Sequence, residues 1–236
     1  MKGLMMKTMK GKRILSVAAA VIALAAAAEV KPLEGPWLGK GETLVCFGDS
    51  ITAAKNGYVS LLTEALAAKD VQVVNAGRPG DKTPMALTRL ADVVAQKPDA
   101  VMLFFGANDS VIGRGRWRDE PTVDPVTFRD NLIWIVHALR QRAGVRKFSI
   151  VVPTGLCEGS GLEEFGTVYE AYRLAAREAA DRTDAVLVPL DAAFVRASRT
   201  ATPDAQGLSL TRDGVHYSAA GNELAAETML KAWNMR

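Results

Sequence analysis

The sequence predicts a three-layer α/β/α domain in which a five-stranded parallel sheet lies between two layers of helices. Apolar runs of four to six residues alternate five times with longer segments whose apolar residues recur at helical spacing. The run at 100–105 is apolar throughout, as expected of a strand that is covered on both faces. Such an alternation is typical of α/β domains with a parallel sheet.

The elements follow in order along the chain. Strands are predicted at residues 43–48, 71–74, 100–105, 148–152 and 185–188. Helices are predicted at residues 57–68, 84–96, 125–142, 163–181, 190–198 and 218–233. Asp124 followed by Pro125 is a favourable helix start. His137 lies beside the buried stripe of that helix and close to no other reactive residue, so we predict no functional role for it.

The first 28 residues form a separate segment. Five basic residues precede an uncharged run from Ile14 to Ala28, and the first acidic residue is Glu29. This pattern predicts a cleaved signal peptide, and hence an exported protein without a stable membrane anchor. An uncleaved anchor is the alternative, but the run is shorter than the ~20 residues of a spanning helix. A lead-in at 29–42, rich in proline and glycine, and a domain at 43–236 complete the chain.

The basic charge of the whole chain belongs to the signal segment. That segment holds five of the 29 basic residues and none of the 26 acidic ones, which leaves 24 basic residues in the mature chain. This balance gives no sign of a nucleic-acid-binding surface. No His, Cys, Asp and Glu cluster has metal-ligand spacing and no phosphate-binding glycine loop is complete, so no metal or cofactor is expected.

The strand at 43–48 delivers Ser50 to the edge of the sheet where ligands bind in open α/β folds. A serine in this place is either a helix N-cap or a nucleophile, and a nucleophilic serine needs an oriented histidine. His216 follows Asp213 by three residues, so the carboxylate can accept the Nδ1 proton and leave Nε2 facing the serine. The sequence therefore predicts a catalytic triad, with a turn acid and a surface histidine as the alternative for the last two.

Four segments together resemble the signature blocks of the SGNH/GDSL hydrolases. They are Gly48-Asp49-Ser50, the run from Asn75 to Asp81, Gly106-Ala107-Asn108-Asp109, and Asp213-x-x-His216. All four occur in the family's order within residues 43–233, although Ile51 stands where the family's nickname has leucine. The chain also lacks the second glycine of the Gly-x-Ser-x-Gly motif of ordinary α/β-hydrolases. The resemblance implies the flavodoxin-like SGNH fold and a carboxylic ester hydrolase with a serine nucleophile.

The resemblance also implies an oxyanion hole made of the Ser50 and Gly80 backbone N–H groups and the Asn108 side chain. Gly80 matches the family's glycine because it lies five residues after Asn75, whereas Gly77 is expected to serve the turn. A turn glycine and a loop-capping side chain are the alternatives for Gly80 and Asn108. Two aspartates, Asp49 and Asp109, are expected to support the site by binding backbone groups.

Two cysteines, Cys46 and Cys157, lie on or just after predicted strands that are not neighbours in the family's strand order. Both are therefore expected to be free and mostly buried. Beyond the third block, the loop at 110–123 carries Arg116, Trp117 and Arg118, which suit a sugar ring bearing a carboxylate. A solvated loop whose arginines pair with neighbouring acids is the alternative.

These features together predict an exported esterase that cleaves short acyl groups, acetyl foremost, from carbohydrates or small alcohols through an acyl-enzyme. Its expected partner is thus a small-molecule or glycan ester. The alternatives are an O-acyltransferase acting on a glycan, and a lipid hydrolase of the lysophospholipase or thioesterase type. A non-catalytic glycan-binding module is a further alternative, but a binding module has no need of the triad.

Overall fold

The computed structural model describes residues 32–111, 121–154 and 162–236, with side chains of the helix that begins at Leu162 described from Tyr169 onward. The described part contains five strands: β1 Thr43–Gly48, β2 Gln72–Gly77, β3 Ala100–Phe104, β4 Lys147–Val151 and β5 Val186–Val188. All neighbouring strands pair in parallel, in the order β2-β1-β3-β4-β5. The predicted five-stranded parallel sheet is confirmed.

Eight helices occur in the same described ranges. They are α1 Ser50–Ala53, α2 Tyr58–Ala67, α3 Thr83–Thr88, α4 Leu90–Ala95, α5 Pro125–Ala143, α6 Leu162–Thr183, α7 Leu190–Ser198 and α8 Ala219–Ala232. Each predicted helix has a counterpart, but α1 was not predicted and the helix expected at 84–96 is broken in two. The break falls at Arg89, whose backbone leaves helical geometry at φ −118° and ψ 24°.

The sheet is covered by helices on both faces, and alternate side chains of its strands point into the two opposite layers. On β1, Leu44 and Cys46 face the layer that contains α2, α7 and α8. Val45 and Phe47 face the opposite layer, which contains α3, α4, α5 and α6. Because both faces of β1 are fully buried, its unbroken apolar run is the pattern that a covered strand requires.

β2 is longer than its apolar run predicted. The prediction ended it at Val74, but Asn75, Ala76 and Gly77 pair in register with the last three residues of β1. Asparagine and glycine are poor strand formers, so pairing with a neighbour overrides their local preference here. As a result, the second signature block begins inside the sheet and not after it.

α5 begins where its sequence predicted. The Asp124 side chain accepts hydrogen bonds from the N–H groups of Val126 and Thr127, which caps the helix. The buried stripe faces the sheet, whereas His137 is exposed on the opposite side of the helix. The prediction that this histidine has no functional role agrees with its position.

Cys46 is a free thiol, and its complete burial raises its pKa far above the ordinary value. Cys157 lies outside the described residues, as does the predicted signal peptide at 1–28. None of the helices within 32–111, 121–154 and 162–236 is both long and apolar enough to cross a bilayer.

Candidate active site

Three adjacent strands deliver the candidate site residues to one edge of the sheet. Ser50 follows β1, Gly80 follows β2 and Asn108 follows β3. Since β1 lies between β2 and β3, the loops after these strands are neighbours. The carboxyl edge of a parallel sheet is where loops diverge and leave room for a ligand.

A continuous hydrogen-bonded chain joins the three residues of the predicted triad. Ser50 Oγ lies 2.9 Å from His216 Nε2, and His216 Nδ1 lies 2.7 Å from Asp213 Oδ2. A carboxylate at Nδ1 holds the proton on that nitrogen, which leaves Nε2 as an acceptor for the serine hydroxyl. The arrangement is that of a nucleophile, a base and a group that orients the base.

A short, tightly bonded loop presents His216 to the serine. Thr211 and Tyr217 form an isolated antiparallel bridge, and the Arg212 N–H donates to the His216 carbonyl at 2.7 Å. Asp213 Oδ1 accepts from the backbone N–H groups of Val215 and His216, at 3.0 and 2.7 Å. One carboxylate therefore shapes the turn with one oxygen and orients the imidazole with the other.

Ser50 is not the N-cap of the helix that it begins. That place is taken by Asp49, whose Oδ1 accepts the N–H of Ile51 at 2.9 Å. Ser50 is the first residue of α1, so its own N–H has no partner within the helix. The capping role that the sequence left open for the serine thus belongs to its neighbour.

Asp81 links Asn108 to Gly80, because it is hydrogen-bonded to the first and follows the second in the chain. The Asn108 Nδ2 donates to the Asp81 carbonyl at 3.0 Å, and the amide carries a second N–H. Gly80 directly precedes Asp81, is buried, and has a φ of +81° that favours glycine. Among the described residues, no oxygen accepts the Gly80 N–H. An N–H that has no protein acceptor can donate a hydrogen bond to a ligand oxygen.

Gly77 has a different role from the turn that the sequence suggested. It is the last residue of β2, and a Cβ placed on it would lie 2.3 Å from the backbone nitrogen of Ala53. The missing side chain therefore lets α1 pack against the strand end. The prediction of a turn role for Gly77 is corrected to one of close backbone approach.

Asp213 is held as an anion. Its partial burial raises its pKa, but hydrogen bonds from the His216 N–H, the His216 ring and the Val215 N–H outweigh that effect. The net result is a pKa below the ordinary value. A charged carboxylate beside the imidazole can stabilise a protonated ring.

Asp49 and Asp109 are buried, and the desolvation of their carboxylates raises their pKa values to about 7 and about 6. Hydrogen bonds from the Ile51 N–H to Asp49 and from Thr83 to Asp109 act in the opposite direction. The Thr83 N–H and hydroxyl donate to Asp109 Oδ1 at 2.9 and 2.6 Å. Both acids bind groups around the site, as predicted.

Arg89 is a residue of the site that sequence analysis did not identify. Its guanidinium pairs with the Asp81 carboxylate and donates to the carbonyls of Ala76 and Gly48, at 2.9 and 3.0 Å. It also lies over the Phe47 ring at 4.4 Å. The available signal was a lone arginine beside Leu90, inside a segment expected to pack on the sheet.

The other predicted contact residues, Arg116, Trp117 and Arg118, lie outside the described residues. Their proposed role in binding a sugar stays a prediction.

The sequence is similar to proteins of a known family. Residues 46–224 match the sequence model of the GDSL-like lipase/acylhydrolase family. The chain is 28% identical to the acetylxylan esterase of Geobacillus stearothermophilus over 217 residues, or 82% of this chain and 94% of the relative. It is 29% identical to the isoamyl acetate-hydrolyzing esterase 1 homolog of Mus musculus over 201 residues, or 76% of each chain.

Solved structures show the same relationship. The crystal structure of that acetylxylan esterase, Axe2, has a TM-score of 0.71 and 26% identity, covering 85% of this chain and 97% of that one. Three further structures of it are of catalytic mutants, in which a serine, an aspartate and a histidine three residues later are each replaced by alanine.

An α/β hydrolase from the metagenome of Lake Arreo, LAE5, has a TM-score of 0.73 and 26% identity, covering 85% of this chain and 99% of that one. The family match spans most of the chain and includes the strand ends described above. The chain belongs to the GDSL-like lipase/acylhydrolase family and is a carboxylic ester hydrolase.

Proposed function

We propose that the protein is an exported serine esterase that removes short acyl groups, acetyl foremost, from carbohydrates or small alcohols. The observation that carries the proposal is the hydrogen-bonded chain from Ser50 through His216 to Asp213, with distances of 2.9 and 2.7 Å. The catalytic mutants of the acetylxylan esterase support it, because the replaced aspartate and histidine have the same spacing as Asp213 and His216.

In the first half of the reaction, the Ser50 oxygen attacks the ester carbonyl carbon while His216 Nε2 takes the hydroxyl proton. The imidazolium then gives this proton to the leaving alkoxide, and the carbon–oxygen bond to the alcohol breaks. In the second half, water attacks the acyl-enzyme with His216 again as base. The carboxylic acid leaves, the proton returns to Ser50, and the free enzyme is restored.

Negative charge builds on the carbonyl oxygen in both halves, and fixed donors must already point at it. The proposed donors are the N–H of Ser50, the N–H of Gly80 and the Asn108 amide. The Gly80 N–H that meets no described acceptor and the second Asn108 N–H support this assignment.

The preference for short acyl groups is supported by two relatives whose names state acetyl esters. They are the acetylxylan esterase of Geobacillus stearothermophilus and the isoamyl acetate-hydrolyzing esterase 1 homolog of Mus musculus.

The carbohydrate part of the proposal is supported by the acetylxylan esterase relative and by the residue types of the loop that carries Trp117. Export is supported by the charge and hydropathy pattern of residues 1–28. If the signal is cleaved, N-terminal sequencing of the secreted protein will start near Glu29.

The proposal is tested by hydrolysis of nitrophenyl acetate, butyrate and octanoate, beside acetylated xylan. We expect the highest kcat/KM on the acetate, and release of acetate from xylan. Ser50→Ala should lower turnover by several orders of magnitude while the protein stays folded. A folded Ser50→Ala variant with substantial turnover, or a preference for octanoate, would contradict the proposal.

A further inference from the structure

Arg89 lies beneath the loop that links β2 to α3, and it contacts no reacting group. Its side chain is almost fully buried, with 8% exposed, and so is that of its partner Asp81, with 5% exposed. A buried guanidinium must satisfy its N–H groups, and Arg89 does so on three separate segments. They are the Asp81 carboxylate, the end of β2 at Ala76 and the end of β1 at Gly48.

These three contacts all concern parts of the site. Gly48 lies two residues before Ser50, and its carbonyl also accepts the N–H of Arg78 at the start of the loop. The backbone carbonyl of Asp81 in turn holds the Asn108 amide. Through Asp81, therefore, one guanidinium is connected to both Gly80 and Asn108, and through Gly48 to the nucleophile strand.

The backbone at Arg89 and the packing of its side chain are consistent with these contacts. The chain breaks helical geometry at this residue, between α3 and α4, and the guanidinium packs over the Phe47 ring. The planar, forked shape of arginine can reach a carboxylate and two carbonyls together, whereas the point charge of lysine cannot.

We propose that Arg89 is the positioning residue of the oxyanion hole. Arg89 binds Asp81 and the two strand ends. These contacts set the distance from the Ser50 oxygen to the donors on Gly80 and Asn108. This inference rests on the proposed function, because it requires that those donors bind an oxyanion. It predicts that weakening these contacts destabilises the transition state more than it weakens substrate binding.

The test compares Arg89→Lys with the wild type on nitrophenyl acetate. We expect kcat to fall ~10- to 100-fold, because small displacements of preorganised groups are costly, while KM changes less than about threefold. Inhibition by phenylboronic acid, which forms a tetrahedral adduct with a serine, should weaken in parallel. A folded Arg89→Lys variant with kcat and boronate inhibition like the wild type would overturn the inference.

Arg177→Lys is the matched control. Arg177 pairs with Asp191 at 2.7 Å, with 22% and 10% of the two side chains exposed, but its described hydrogen bond reaches no strand end and no candidate site residue. We expect this change to lower the unfolding temperature without lowering kcat. If both lysine variants lose kcat in proportion to lost stability, the effect of Arg89 is structural and the inference fails.

Coupling to Asn108 gives a second readout. If Arg89 acts in part by placing Asn108, the effect of Arg89→Lys on kcat should be smaller in an Asn108→Ala background than in the wild type. Full multiplication of the two effects would mean that Arg89 acts independently of Asn108 and would overturn that part of the inference. Asp81→Asn, which keeps the carbonyl that holds Asn108, should reproduce the kcat loss if Arg89→Lys does not fold.

Ser50→Ala in the same assay distinguishes a failure of the proposed function from a failure of the inference about Arg89. An active, folded Ser50→Ala variant would remove the proposed function and the inference with it. An inactive Ser50→Ala beside a fully active Arg89→Lys would remove only the inference.

Discussion

The site contains two kinds of aspartate, and their surroundings differ in almost every respect. The Asp213 side chain is 52% exposed, accepts hydrogen bonds on both oxygens, and has a lowered pKa. Asp49 and Asp109 are buried, and desolvation raises their pKa values. Oδ2 of Asp109 has no hydrogen-bond partner in the described part of the chain.

This difference shows that closeness to Ser50 in sequence does not select the acid that contacts the histidine. Asp49 is adjacent to Ser50, yet its Oδ1 is used to cap α1. Asp213 lies far along the chain, and its carboxylate meets the imidazole. A carboxylate must remain charged to stabilise an imidazolium, and a partly exposed, well-bonded one does so more readily than a buried one.

The largest expected effect comes from Asp213→Asn. Asparagine can still accept the Val215 and His216 N–H groups, but its amide cannot hold a proton on Nδ1, so the imidazole takes the wrong tautomer. We expect kcat on nitrophenyl acetate to fall ~10³- to 10⁴-fold while the protein stays folded. Asp49→Asn is the control, and its kcat should stay within tenfold of the wild type. Equal losses in the two variants would erase the distinction between the two kinds of aspartate.

Asp49→Asn should act on stability in a pH-dependent way. The folded state keeps the Asp49 proton up to a pKa of about 7, whereas the unfolded chain releases it near 3.8. The stability that this group contributes is therefore fully present below pH 3.8 and is lost as pH rises through 7. Asparagine does not titrate and can still cap α1. Between pH 4 and 7, the free energy of unfolding of the variant should rise relative to that of the wild type, by at most about 4 kcal/mol.

Urea unfolding at several pH values measures this gain, and Asp213→Asn serves as the opposite control. Because the pKa of Asp213 is lowered on folding, its stabilising contribution is present above the unfolded value and is lost at lower pH. A difference between Asp49→Asn and wild type that is constant from pH 4 to 8 would contradict a raised pKa.

Asp109→Asn should give the smallest effect of the three. Its pKa is raised only to about 6, so the gain of the variant over wild type should stop near pH 6 and not near pH 7. The amide oxygen can still accept from the Thr83 N–H and hydroxyl, which keeps the third strand end in place. The same unfolding series provides the measurement, and a gain that continues beyond pH 7 would be inconsistent with this assignment.

Much of the fold was predictable because a strand that is buried on both faces has an unbroken apolar sequence. The five apolar runs mark the five strands to within a few residues, and the start of α5 follows from the capping chemistry of Asp124 and Pro125. The larger errors lie beside the site. They are the four-residue helix α1, the extension of β2 through Asn75 to Gly77, and the break at Arg89.

By itself the sequence determined the layered fold, because apolar periodicity is a property of the chain alone, and it paired Asp213 with His216 through their three-residue spacing. The resemblance to the family's signature blocks added Ser50 to the same motif set. Only the tertiary structure decided that Ser50 Oγ lies 2.9 Å from His216 Nε2 and that Arg89 joins two strand ends to the loop after β2. These are contacts between segments far apart in sequence, where hydrogen bonding and burial select the partner and local preference does not.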